Sequence, residues 1–145
     1  MLLPNVLGHE LHGPASAPAF FSKGMDRSYL DRGQIVLILH AQKGEDMLWQ
    51  ADARFRFSMA EGYTGPEPEA FRRDPTWAAI RDDDPGRLNP DELRAFLVSH
   101  GVTAVIVEDS VAARWRSLLA QTLLVEPQHV GGVQLYLPRP GPSGI

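Results

Sequence analysis

Apolar side chains fill residues 35–39 (IVLIL) without interruption, and nearly fill 102–107 (VTAVIV). A strand with one face in water alternates apolar and polar positions. An unbroken run too short for a helix reads as a strand covered on both faces, as in a parallel sheet. Elsewhere the spacing becomes helical. Asn89, Pro90 and Glu92 predict a capped helix start, Leu93, Phe96 and Leu97 its buried stripe, and Gly101 its stop. Val111, Trp115, Leu118, Leu119 and Thr122 share one face of a further helix, with Asp109 or Ser110 as its cap. This alternation predicts an α/β fold, a small and mainly parallel sheet flanked by helices. Two apolar runs around Gly131-Gly132 add a C-terminal β-hairpin.

The remaining pattern is less regular. Residues 1–24 carry Pro4, Gly8, Gly13, Pro14 and Pro18 and read as an extended lead-in, anchored by Phe20 and Phe21. A short turn over 28–32 ends at Gly33. Asp46 is a candidate N-cap for a short helix through Met47, Leu48 and Ala51. Residues 54–59 (RFRFSM) alternate and predict a half-buried strand. Asp74-Pro75 opens a helix carrying Trp77 and Ile80, and Asp82, Asp83 and Asp84 end it in a solvated loop. The chain thus divides into the lead-in, one domain over 25–138, and a Pro/Gly-rich tail over 139–145.

Composition narrows the chemistry. The chain has 145 residues, a length that fits one domain with its own core. It has no cysteine, which removes disulfides, thiolate metal sites and thiol catalysis. The net charge is −4 with no basic run, so nucleic acid is not an expected partner. No run approaches the roughly 18 apolar residues of a membrane span. The N-terminal MLLPNVLGHELHG lacks the basic start of a signal peptide. His9 and His12 stand three apart, not the four of a helical metal pair. No phosphate-binding Gly-rich motif and no GxSxG elbow occurs. Neither a cofactor nor a metal is expected.

One constellation remains. Ligands of open parallel sheets sit beyond the carboxyl ends of the strands. His40, Gln42 and Lys43 follow the first buried strand, and Glu108, Asp109 and Ser110 follow the second. Such a group could perform acid–base work. The competing reading makes Asp109 and Ser110 helix caps and leaves Lys43 solvated. Trp49 is either a stacking platform for a sugar or a core residue. Tyr63, within the turn-rich GYTG, offers an aromatic face and a hydroxyl.

Several segments in order carry a family resemblance: PAFF (18–21), QIVLIL (34–39), MLWQADARFRFSMAEGYTGPEP (47–68), LRAFLVSHGVTAVIVED (93–109) and VGGVQLYLP (130–138). The chain resembles the C-terminal extracytoplasmic domain of polytopic bacterial membrane proteins of the GT-C or mannosyltransferase-like glycosyltransferase type, especially those of actinobacteria. The most specific part comprises Trp49, Gln50, Ala51, Phe55, Arg56, Phe57, Met59, Gly62, Tyr63 and Gly65. His40 and Glu61 depart from the family pattern, which has Pro and Gly there. The resemblance implies a non-catalytic accessory domain whose partners are the membrane-embedded portion of the parent protein and a glycan or lipid-linked sugar. The acidic catalytic residue of such enzymes lies in a loop between membrane helices, so no catalytic residue carries over. Two other readings stay open: a free-standing α/β enzyme using the crevice near His40 and Asp109, and a protein-interaction module using residues 54–59 or the hairpin as an edge.

Overall fold

The computed structural model describes residues 17–41, 45–60 and 68–138. Its centre is the strand pair expected from the apolar runs. β1 (Ile35–Leu39) and β3 (Ala104–Glu108) lie side by side and parallel, Val36 opposite Ala104 and Leu39 opposite Val107. The short β2 (Ser58–Met59) pairs parallel with the other side of β1. Beyond β3 the sheet turns antiparallel, with β5 (Val133–Tyr136) against β3 and β4 (Gln128–Val130) at the edge. The five-stranded order is β2-β1-β3-β5-β4. The fold is therefore α/β with a mixed sheet and the expected C-terminal hairpin.

Each face of the sheet has its own core, and the strand residues alternate between them. Leu37, Leu39, Val105 and Val107 face the core that also takes in α3 (Glu69–Arg72), α4 (Pro75–Arg81), α5 (Pro90–Ser99) and α6 (Asp109–Leu123). Val36, Ile38, Ala104 and Ile106 face the N-terminal segment and α2 (Glu45–Asp52). The helix signals act as expected where they are local. Asp74 accepts from the Thr76 N–H at 2.8 Å with Pro75 next to it. Asn89 and Glu92 form a reciprocal capping box. The stripe of α6 is buried throughout, and Trp115 has no exposed surface.

Asp46 lies within α2 and not at its cap, and four further expectations need correction. The described part of the lead-in is not extended, because residues 19–22 form a helical turn, α1 (Ala19–Ser22), capped by Pro18. That turn drives Phe20 and Phe21, consecutive in sequence, into the core together, so the anchoring role stands. The expected strand over 54–59 shrinks to β2. Arg54 and Phe55 both adopt the left-handed conformation and close the end of α2, where the Phe55 N–H donates to the Gln50 carbonyl at 2.9 Å. Phe55 is thereby turned outward, while Phe57 is buried and Gln50 Nε2 holds its carbonyl at 2.9 Å. The alternation in RFRF records this inside–outside change and not an extended ladder.

The third correction concerns the Asp82-Asp83-Asp84 loop, which is only partly solvated. Asp82 is an exposed carboxylate, held below the usual range by its hydrogen bond to Arg87. Asp83 instead turns inward in the left-handed conformation, accepts from Trp115 Nε1 at 2.6 Å and pairs with Arg114. It fastens the end of α4 to α6. Fourth, neither Asp109 nor Ser110 caps α6. The cap position belongs to Glu108, whose side chain makes no capping bond, and Asp109 lies in the first turn.

Trp115→Ala removes a fully enclosed indole and the donor to Asp83 Oδ1, leaving Asp83 its pair with Arg114 alone. It should cost about 3–5 kcal/mol, read as a lowered denaturant midpoint. An unchanged midpoint would contradict this packing.

Candidate functional site

The connectivity places a topological switch point between β1 and β3, the position where an open α/β sheet forms its crevice. The chain leaving β1 enters α2 on one face, and the chain leaving β3 enters α6 on the other. Adjacent parallel strands whose connections depart to opposite faces separate at their carboxyl ends, and ligands of open α/β sheets bind there.

His40 and Glu108 stand at this mouth. Leu39 pairs with Val107, so the register brings the next residues side by side, on the α2 face by strand alternation. His40 is half-buried and meets the Trp49 ring edge-on, with centroids 5.2 Å apart. Glu108 is also half-buried, but its Oε2 is buried with no hydrogen-bond partner among the described residues. A carboxylate oxygen in that setting is costly unless a donor reaches it. Trp49 stacks on Phe21 at 5.5 Å and is 2% exposed. It is a core residue supporting His40 and presents no open platform to a sugar.

Asp109 belongs to the opposite lip. Its Oδ2 lies 2.8 Å from His129 Nε2, and both side chains are partly exposed. The carboxylate at the first turn of α6 also complements the helix dipole. His129 pairs with Gln134, between positions that face α2, so this dyad sits on the α6 side of the sheet. Ser110 is exposed in the same turn. His40 and Asp109 therefore flank the crevice from opposite faces and do not form one acid–base pair. Lys43, Gln42 and Tyr63 lie outside the described residues, as do His9 and His12.

His129 is a site residue that sequence reasoning missed. Its sequence neighbourhood shows only a short apolar run before Gly131, and its partner is 20 residues away. The hairpin turn beside it does more than reverse the chain. The Gly131 carbonyl accepts from the Phe20 N–H at 2.9 Å, and the Gly132 carbonyl accepts from the Asp109 N–H at 3.1 Å. One turn thus fixes the starts of both α1 and α6. Gly131 has a φ of 56°, and a Cβ there would lie 2.5 Å from the Phe20 nitrogen.

Among the described residues no group of three or more His, Asp or Glu side chains is placed to hold a metal ion. A shallow groove of about 440 Å³ lies elsewhere, along Asp91, Arg94, Ala95, Val98 and Ser99 of α5. The crevice offers hydrogen-bond acceptors at Glu108 and Asp109 and imidazoles at His40 and His129. That set suits recognition of hydroxyl-bearing ligands. Compared with known proteins, the chain matches no family model, no curated protein and no solved structure. Among the described residues no helix is long and apolar enough to cross a membrane.

Gly131→Ala combines a left-handed backbone with a backbone clash. It should cost roughly 2–5 kcal/mol in chemical denaturation and shift the amide signals of Phe20 and Asp109. Retention of both stability and those signals would contradict the role given to the turn.

Proposed function

We propose that this chain is a non-catalytic extracytoplasmic accessory domain of a glycosyltransferase-like integral membrane protein, and that it holds a glycan or lipid-linked sugar in the crevice between β1 and β3. The observation that carries the binding part is the buried Glu108 Oε2 at the switch point, which no donor of the described residues satisfies. Under this reading ligand entry uncovers that oxygen, and a sugar hydroxyl donates to it. His40 supplies a further polar group on the same face, and the Asp109–His129 pair lines the opposite lip.

The stretch with the most specific family likeness builds the wall beside this crevice. Trp49, Ala53, Phe57 and Met59 are buried against β1, while Met47, Leu48 and Phe55 face outward, at 42%, 53% and 60% exposure. Exposed apolar side chains on that wall suit a domain that lies against a larger body, here the membrane-embedded portion of the parent protein. Glu108 and Asp109 bind and orient the sugar under this reading, and chemistry belongs to the membrane portion.

The test is a titration of the isotope-labelled chain with oligosaccharides, followed by NMR. Signals of His40, Glu108, Asp109 and His129 should move together. Glu108→Ala should weaken binding about tenfold, the equivalent of one lost charged hydrogen bond. Shifts confined to α5, or undiminished binding by Glu108→Ala, would remove the crevice as the site. The chain alone should transfer no sugar from a polyprenyl-phosphate donor, and turnover would contradict the accessory role.

A further inference from the structure

A second buried carboxyl group lies away from the crevice. Asp26, in the 3₁₀ turn Met25–Ser28, has no exposed surface, and neither of its oxygens has a hydrogen-bond partner among the described residues. The charged groups acting on it are Arg27 of its own turn and Arg56 from the loop between α2 and β2. Arg56 is only partly committed. Its Nη2 donates to the Leu30 carbonyl at a long 3.4 Å, while its Nε is buried without a partner. An unfilled acceptor pair and an unfilled donor of opposite charge thus lie within electrostatic reach of each other, the unfilled atoms out of water. Burial pushes the Asp26 carboxyl up from its usual range, more than its own backbone and the two arginines lower it.

This arrangement fits a neutral carboxylic acid, because an ionised carboxylate would require donors that it lacks here. Ionisation would make the Arg56 guanidinium the natural partner, since it alone of the two arginines has a buried, unengaged N–H. We propose that Asp26 and Arg56 form a proton-operated switch: with Asp26 protonated, Arg56 holds the Leu30 carbonyl, and with Asp26 ionised, Arg56 turns to the carboxylate and releases Leu30. The segment affected is the approach to β1. The Arg56 carbonyl also accepts from the Gly33 N–H at 2.6 Å, and the Leu30 N–H donates to the Asp26 carbonyl at 2.8 Å. One proton thus selects how the N-terminal layer is fastened to the loop before β2. The sign follows from the direction of the shift. This group favours the folded chain most at low pH, and that contribution is lost as pH rises through the raised value.

NMR of the full labelled chain tests the switch, following the Asp26 carboxyl carbon and the Arg56 Nε–Hε signal between pH 3 and 8. The switch requires Asp26 to titrate above the ordinary aspartate range, with Arg56 moving at the same midpoint. In Asp26→Asn the Arg56 signal should stay constant and differ from that of the unsubstituted protein at pH 8. An Asp26 midpoint at or below the ordinary value would overturn the proposal. So would an Arg56 signal that ignores the titration or coincides in the two proteins at pH 8.

Discussion

The structure depends on one constraint: β1 and β3 are apolar on both faces, so neither face can be left to water. Two adjacent strands of that kind need a helical layer on each side. Leu37, Leu39, Val105 and Val107 accordingly pack towards α4, α5 and α6, and Val36, Ile38, Ala104 and Ile106 towards the N-terminal segment and α2. The outer strands are brief, β2 with two residues and β4 with three, which limits the edge offered for unwanted pairing. The crevice at the carboxyl ends has the same origin. Covering both faces sends the chain to opposite sides after β1 and β3, which makes their carboxyl ends the switch point of the sheet.

The N-terminal layer is the thinner of the two, so its attachments matter more. Phe20 and Phe21 meet edge to face, Phe21 stacks on Trp49, and Trp49 supports His40. The Gly131-Gly132 turn ties this chain of rings to α6 through one carbonyl to each helix start. The lips of the crevice are therefore set by packing that begins in the first described residues. The Asp83 clip on Trp115 plays the matching part in the other layer.

What was legible in the sequence follows from the range of the forces involved. β1, β3, the α5 capping box and the α6 stripe are fixed by residues within a few positions of one another, and each was readable. The Asp83–Trp115 bond spans 32 residues and the Asp109–His129 pair spans 20, so no local pattern announces either. Arg54 and Phe55 adopt a left-handed backbone that glycine or asparagine would signal and these residue types do not. Trp49 was ambiguous because the ring that buries it comes from residue 21. Of the candidate site, the strand-end positions of His40 and Glu108 were readable from β1 and β3. The division of His40 and Asp109 between two faces required the register and the hairpin.

Native-state hydrogen exchange tests the central constraint most directly. If the β1–β3 pair is the element on which both layers depend, amides of Leu37, Ile38, Val105 and Ile106 should exchange only through global unfolding. Their opening free energies should then match the stability from denaturation and fall together when either layer is weakened. Exchange of these amides by local opening, well below the global value, would contradict the account.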